Sequence, residues 1–385
     1  MTRRLGVLAA LVVGVVAGVV VGGSSAPDRG GADAAAPTTT TTAPATAEVP
    51  IPASDVLLVW SPGGLPPGLG AAIGALPGVE AVAVVLGDII GLTATASGEG
   101  VAVDEAPAGF AVPVEAAGFD CAGARALLPD AEAAAICALA PDDVLLGEAS
   151  ARLRRIGAGA LVRLADGRDR RVAGVVADDV VGAAELVLSH DGARAAGVDV
   201  ERYALVRHTG DRAGVEAAIR AAAGRTALRV RGPGETPFFR HGDAVLPQAL
   251  VKERFGEFAA RPGAGGALAV SPSWRDDAIV TADVPLLGRV PCHRRLVPAL
   301  TGALEELVAR GLVTSVDRSA SGCFNPRRIA GTDQPSRHAW GIAVDLVGAE
   351  ITAEVVEVFE RWGFTWGGHW LTPDPVHFEY VREPS

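Results

Sequence analysis

The chain has 385 residues, 49% of them apolar, and a formal net charge of −11. That length allows two domains of ordinary size, each with a real core. The acidic balance, with no Lys/Arg block beyond the extreme N-terminus, argues against nucleic acid as a partner.

Arg3 and Arg4 precede an uncharged stretch, Leu5 to Gly23, of about the length that crosses a bilayer. A positive start followed by an apolar run is the pattern of an export signal. Residues 1–26 therefore read as a signal peptide or a retained membrane anchor at 5–23, with Arg3 and Arg4 on the cytoplasmic side in either case. Small residues near Ala26 offer a cleavage site, and Pro27 disfavours one directly after it. Residues 27–52 hold Ala, Pro and a run of threonines, Thr38 to Thr42, with nothing to pack, and read as a disordered spacer. The rest of the chain is expected outside the cytoplasm, secreted or anchored.

Residues 53–232 read as a mixed α/β domain. Val56 to Trp60 and Val79 to Leu86 are predicted strands. Leu161 to Ala165 and Arg171 to Val176 flank Asp166-Gly167, a hairpin signal. Val215 to Ala223 is helix-like and stops at Gly224. The region shows no catalytic constellation. His190 and His208 stand alone and read as ordinary surface or core histidines.

Residues 240–383 read as a second domain. A helix is expected over Ala249 to Ala260. Another is expected over Leu296 to Arg310, with leucines at four-residue spacing on one face and Gly311 as its stop. A third covers Glu354 to Trp362, with Thr352 as N-cap. His293 and Arg294, at a helix start, read as solvated charge. Four cysteines in an exported chain fall into two local pairs, Cys121 with Cys137 and Cys292 with Cys323. No C-x-x-C spacing favours a metal, so disulfides are expected.

The chemistry gathers near the C-terminus. Gly341 to Val347 alternates as a strand would, which sets Asp345 among small apolar residues, where an unpartnered charge is costly. His338 lies seven residues earlier and cannot share that face of a strand, so the chain must turn near Gly341 to bring its imidazole round. Farther on, Val376, Phe378 and Tyr380 form one face of a short strand and His377 and Glu379 the other, with Asp374 in a proline-bracketed turn before them. If the two strands are neighbours, two histidines converge with several carboxylates. Two histidines and one carboxylate suit a single Zn²⁺ and leave a coordination position open for water. A free carboxylate beside that water can take its proton and hand it to a leaving amine.

The pattern Ser-x-His-x-x-Gly-x-Ala-x-Asp from Ser336, Gly-Phe-x-Trp-Gly-Gly-x-Trp from Gly363, and Asp-x-x-His-Phe-Glu from Asp374 resembles the D-alanyl-D-alanine carboxypeptidase family of zinc peptidases, over roughly Ala249 to Val381. The resemblance implies one zinc ion on His338, Asp345 and His377, with Asp374 as general base and acid. It also implies a substrate-binding arginine in the segment Gly322 to Gly331, Arg327 by position with Arg328 as the close alternative. A guanidinium suits that task because it grips a carbonyl or carboxylate through two parallel hydrogen bonds. Ser336 joins the expected substrate contacts. Trp340, Trp366 and Trp370 are expected to floor a substrate groove or to pack in the core. Glu379, a strand repeat away from His377, is expected to orient a ligand from behind. The Cys292–Cys323 bridge would tie the Arg327 loop to the neighbouring helix. In the middle region, Leu146 to Leu153 and the hairpin Val162 to Val176 resemble the extracytoplasmic domain of MacB/FtsX-type transporter permeases, which implies binding or positioning rather than chemistry.

The expected protein is thus α+β. A zinc peptidase domain with a small antiparallel sheet and flanking helices follows a separate mixed α/β extracytoplasmic domain. Its expected partners are the stem peptides of peptidoglycan, cut at a D-Ala-D-Ala end or at an internal bond such as L-Ala-D-Glu. The alternative is a wall-binding module that holds such peptides in the same cleft without cutting them. A proton-transferring carboxylate at Asp374 separates the two, since a pure binder has no use for it.

Overall fold

The structure is a computed structural model and describes residues 55–382, apart from 183, 234 and 236–240. The expected signal or anchor at 1–26 and the spacer at 27–52 lie outside the described residues. Among the described residues no helix is long and apolar enough to cross a membrane.

Val56–Trp60 shows how the first part is built. All five of its residues are buried. Leu57 and Val59 face one core with Ile73, Val215 and Ile219. Val56, Leu58 and Trp60 face another with Leu127 and Ile136. An unbroken apolar run is what a strand covered on both faces requires. The strand lies between Glu201–His208 and Arg229–Arg231, antiparallel to both. Helices Leu69–Gly74 and Arg212–Ala223 supply one cover, and Cys121–Leu127 and Asp130–Cys137 the other.

Among the described residues this sheet has ten strands. Its spine is Val79–Ala96, which runs well past the expected end at Leu86. The first half of that strand pairs with Glu201–His208, its middle with Val112–Phe119, and its last turn of pleat with Leu161–Leu164. The remaining strands pass through Leu186–Ser189, Asp143–Gly147 and Asp169–Val176 back to Leu161–Leu164, so the far end of the sheet closes on itself. Gly87 and Gly91 punctuate the spine and hide its continuation from periodicity alone. At each a Cβ would crowd a side chain from a neighbouring segment, Arg202 at Gly87, Ala111 and Ala165 at Gly91.

The second part carries small separate sheets. Ala343–Asp345, His377–Tyr380 and Phe364–Trp366 make a three-stranded antiparallel sheet with His377–Tyr380 in the middle. Helix Val297–Ala309 buries Leu300, Leu304 and Leu307 in the core it shares with this sheet, and helix Ala353–Arg361, capped by Thr352, buries Val355, Val358 and Phe359 there. Phe359 stacks on Phe378 at 4.1 Å between ring centroids and meets Phe364 edge-on. Truncating such a residue to alanine typically costs about 3–5 kcal/mol.

The helix expected over Ala249 to Ala260 is shorter, Gln248–Phe255. Gly256 ends it with φ of 88°, and Ala260–Pro262 goes on to pair with Leu268–Val270. His293 is not a solvated charge but a buried residue, 3% exposed, edge-on to Phe255. Both expected disulfides are present, Cys121–Cys137 and Cys292–Cys323.

Between the two parts lies a buried ion cluster. Lys252, the only lysine in the sequence, places Nζ 2.9 and 2.8 Å from the two Glu185 carboxylate oxygens, 2.7 Å from the Pro113 carbonyl and 3.0 Å from Glu257. Arg154 donates to the same two carboxylates at 2.7 and 2.9 Å. Two cations balance two carboxylates, and Gln248 adds a hydrogen bond to Glu185. Glu185 and Arg154 come from the ten-stranded sheet region, and Gln248, Lys252 and Glu257 from the segment that opens the second part.

Candidate metal centre

Asp345 and His377 are direct cross-strand neighbours in register. His338 arrives by a different route. Ser336 caps a single 3-10 turn, Arg337–Ala339, and Gly341 then reverses the chain with φ of 67°. A Cβ at Gly341 would lie 2.9 Å from the His293 backbone nitrogen, so position 341 needs glycine both for space and for conformation. The turn brings the imidazole of His338 over the end of the strand pair.

Three side-chain atoms meet there. His338 Nε2 lies 3.2 Å from Asp345 Oδ1 and 3.2 Å from His377 Nδ1, and His377 Nδ1 lies 2.8 Å from Asp345 Oδ1. These three are the residues among the described ones whose donor atoms cluster tightly enough to hold a metal ion. His338 and His377 are buried, and Asp345 keeps 22% of its side chain open to solvent.

The outer sides of both rings decide what the inner sides are. His338 Nδ1 lies 2.7 Å from the Cys323 carbonyl, an acceptor only, so that nitrogen carries the proton and Nε2 presents a lone pair. His377 Nε2 faces Glu379 Oε1 at 3.5 Å without a hydrogen bond; with a proton on that nitrogen and none on the other, the Nδ1 lone pair faces inward. Two ring lone pairs and a carboxylate oxygen then point at one spot, an arrangement that calls for a cation or a shared proton. Tetrahedral donors around zinc lie roughly 3.3 Å apart, close to the observed 2.8 to 3.2 Å. The donor set fits Zn²⁺.

The electrostatics agree. Burial opposes ionisation of Asp345, yet its hydrogen bonds to His338 and His377 outweigh that and hold the carboxyl well below the usual range. Burial likewise opposes charging of His377, but Asp345 and Glu379 overcome it and push its pKa up to about 9, so with no cation at the spot a proton on His377 Nδ1 faces Asp345, and a metal ion would displace it. The site is a pocket of negative potential.

The other expected site residues are placed as follows. Asp374 lies half-buried in the turn before His377, its backbone N–H bonded to the Gly367 carbonyl at 3.0 Å and its carbonyl accepting from His377 N–H at 3.2 Å. Its carboxylate stands outside the donor triangle. Arg327 is half-buried, and its guanidinium makes no ion pair among the described residues, whereas Arg328 is paired with Asp333. Trp370 packs its ring 5.0 Å from that of His377, and Trp366 donates to the Pro375 carbonyl at 2.8 Å. Glu379 is buried behind His377, with Arg337 Nε 3.9 Å away on its other side.

Two expected substrate contacts face elsewhere. Trp340 is fully buried, its ring 4.6 Å from Phe258 and its N–H bonded to the Gly256 carbonyl, so it is core beneath the site and not the floor of a groove. Ser336 is buried too, and its hydroxyl accepts from His338 N–H at 3.3 Å, a capping role that shapes the ligand turn. The Cys323 carbonyl was not legible in advance, because a backbone atom leaves no mark on residue type. The disulfide to Cys292 is its only trace in the sequence.

Residues 330–380, which span the donor triangle, match a family model described as D-alanyl-D-alanine carboxypeptidase. Arg327 lies just before the matched segment. No curated protein matches the chain. Two solved structures align with about half of it. The periplasmic region of MacB from Actinobacillus actinomycetemcomitans is 11% identical, covers 49% of this chain and 92% of its own, and has a TM-score of 0.31. The extracellular domain of the noncanonic ABC-type transporter YknZ from Gram-positive bacteria is 10% identical, covers 46% and 100%, and has a TM-score of 0.30. At those scores nothing about the role of this chain follows from them.

Proposed function

We propose that this chain is a zinc-dependent peptidase of the D-alanyl-D-alanine carboxypeptidase kind, acting on the stem peptides of peptidoglycan outside the cytoplasm. One observation carries the reading. Two buried imidazoles, each with its outer nitrogen turned to an acceptor, aim their remaining lone pairs at the same carboxylate oxygen. That geometry, inside the segment matched by the family model, fits a metal-assisted hydrolase. The two disulfides support an oxidising, extracytoplasmic setting.

Zinc, when bound, supplies a Lewis acid that lowers the pKa of water and polarises a carbonyl. The protein supplies the rest. His338, Asp345 and His377 hold the ion. Asp374, next to them in the chain and engaged through its backbone only, takes the proton of the attacking water at its carboxylate and returns it to the departing amine nitrogen. Arg327 donates its guanidinium hydrogens to the substrate carbonyl or terminal carboxylate. Trp370, whose ring packs 5.0 Å from that of His377, borders the site.

The test uses the full chain loaded with zinc and offered muropeptides, with products read by mass. Released D-alanine marks a carboxypeptidase, and a new internal cut marks an endopeptidase. Asp374→Ala is expected to keep one zinc per chain while turnover falls on the order of 10²-fold or more. Near-normal turnover in that variant removes Asp374 from the reaction. Undiminished peptide binding with no turnover by the wild type points instead to a wall-binding module.

A further inference from the structure

The face of the ten-stranded sheet that carries Leu58 and Trp60 ends on two charged residues. In the edge strand Arg229–Arg231, Arg231 stands opposite Leu58 and Arg229 opposite Trp60. Both arginines reach one carboxylate. Arg229 Nη1 lies 3.3 Å and Arg231 Nη2 3.6 Å from Asp243 Oδ1. The other oxygen, Asp243 Oδ2, accepts the Leu371 N–H at 2.7 Å. Only 11% of the Asp243 side chain is exposed, and a carboxylate engaged through both oxygens is held in one orientation. Two further contacts tie the same loop to the sheet. Arg229 donates to the His369 carbonyl at 3.2 Å, and Leu371 packs against the core that holds Leu58 and Trp60.

The loop held in this way leads into the metal centre. Trp370, whose ring lies 5.0 Å from that of His377, directly precedes Leu371, and Asp374 follows it by three residues. The near end of the loop closes on itself beside the metal ligands, where the Gly367 carbonyl accepts the N–H of Trp370 at 3.1 Å and that of Asp374 at 3.0 Å. The far limb, His369 to Leu371, is fastened to the sheet edge. Thr372 and Pro373, between the two anchorages, are exposed. A span this short has little freedom once both of its ends are fixed, so the place of Asp374 depends on the sheet as well as on Gly367.

We propose that Asp243 is a positioning residue of the peptidase, the link through which the edge of the ten-stranded sheet sets the loop Gly367 to Asp374 and with it the Asp374 carboxylate. Arg229 and Arg231 hold Asp243, Asp243 holds Leu371, and Leu371 carries the strain-free path of the chain on to Asp374. The sheet is then a working part of the catalytic unit, although the reacting groups all come from the C-terminal residues. The kinetic side of this inference rests on the peptidase reading, and its test separates the two.

The full chain loaded with zinc is compared with its Asp243→Ala variant on the same muropeptide. The variant is expected to lose about tenfold in kcat, because a proton-transferring group displaced by a fraction of an ångström costs on that scale. KM should stay within about threefold and the zinc content unchanged. Placed on Asp374→Ala, the same substitution is expected to change turnover by less than about twofold, since its effect runs through Asp374. Amide exchange read by mass needs no turnover. Residues 367–374 should exchange about tenfold faster in Asp243→Ala, while Val56–Trp60 and Val297–Ala309 keep their rates. Asp243→Asn, which keeps an acceptor for the Leu371 N–H, should recover part of both losses. Arg229→Gln carries the same comparison should Asp243→Ala fail to fold. An unchanged kcat, or a tenfold loss that persists on Asp374→Ala, overturns the positioning role and leaves the peptidase standing. No turnover by the wild type overturns the peptidase, and exchange then decides the link: faster exchange confined to 367–374 sustains it, and unchanged or uniformly faster exchange overturns it.

Discussion

His338 and His377 offer different ring nitrogens to the same point, Nε2 from one and Nδ1 from the other. The choice is made behind them, by the Cys323 carbonyl and by Glu379. Residue types and spacing in the sequence pointed to these positions, but they could not say which nitrogen faces inward, because that depends on a carbonyl brought in by a disulfide. The same limit applied to the two arginines. Position along the chain favoured Arg327 and left Arg328 open. The structure pairs Arg328 with Asp333 and gives Arg327 no such partner among the described residues. A guanidinium already committed to a carboxylate is a poor grip for a substrate carbonyl. Arg327→Ala is therefore expected to lower kcat/KM on the order of 10²-fold with zinc content intact, while Arg328→Ala stays within about threefold. Steady-state kinetics with metal analysis on both variants checks this, and the reverse ranking would transfer the role to Arg328.

At the scale of elements, the short strands and turns around the site show where periodicity stops informing. Gly341 to Val347 alternates like a strand, yet only Ala343–Asp345 pairs as one. The turn at Gly341 and the reach of Asp345 toward Gly322 end it on either side. Periodicity left Trp340 open between groove and core and read His293 as solvated charge, and one feature accounts for both. Both pack on the segment from Phe255 to Phe258, which periodicity read as the continuation of a helix. His293 donates from Nε2 to the Phe255 carbonyl at 3.1 Å and accepts on Nδ1 from the Arg295 N–H at 3.1 Å. A second proton has no room, since it would break the bond from Arg295. Burial accordingly pushes its pKa down to about 4, against the Phe255 bond. Because the unfolded chain takes up that proton near pH 6.5 and the folded chain only near pH 4, unfolding is favoured as pH falls between them. A shift of that size corresponds to about 3 kcal/mol. Chemical denaturation at pH 7 and pH 4.5 should show this loss in the wild type and a smaller one in His293→Gln. An equal loss in both would assign the slope to other groups.

At the scale of the whole molecule, composition and motif suggested two separate domains, an upstream α/β region and a C-terminal region with the metal-binding pattern, whereas residues 50–385 form one compact unit whose internal attachment was not legible. The attachment rests on Lys252, Arg154, Glu185 and Glu257, which are far apart in sequence and ordinary as residue types. In a chain with a single lysine, that lysine sits where a compact ammonium can reach two carboxylates and a carbonyl at once, a task for which a planar guanidinium is too large. Removing one member of such a cluster strands the others without water, which typically costs about 3–5 kcal/mol. Lys252→Met is therefore expected to lower the unfolding midpoint by several degrees. The C-terminal part alone, cut near residue 240, should be less stable than the full chain, because Lys252 and Glu257 then lose Glu185 and Arg154. Acid should act on the same joint. Burial raises the Glu185 carboxyl, but Lys252 and Arg154 outweigh it and hold its pKa near 2, below the ordinary 4.5. Its contribution is complete above pH 4.5 and is lost as pH falls from there through 2, a lower window than that of His293. If the joint unites the two parts, calorimetry of the full chain at neutral pH gives one transition, and Lys252→Met or acid splits it in two. Two transitions in the wild type at neutral pH would mean that the sheet and the C-terminal part melt independently and that the buried ion cluster does not unite them.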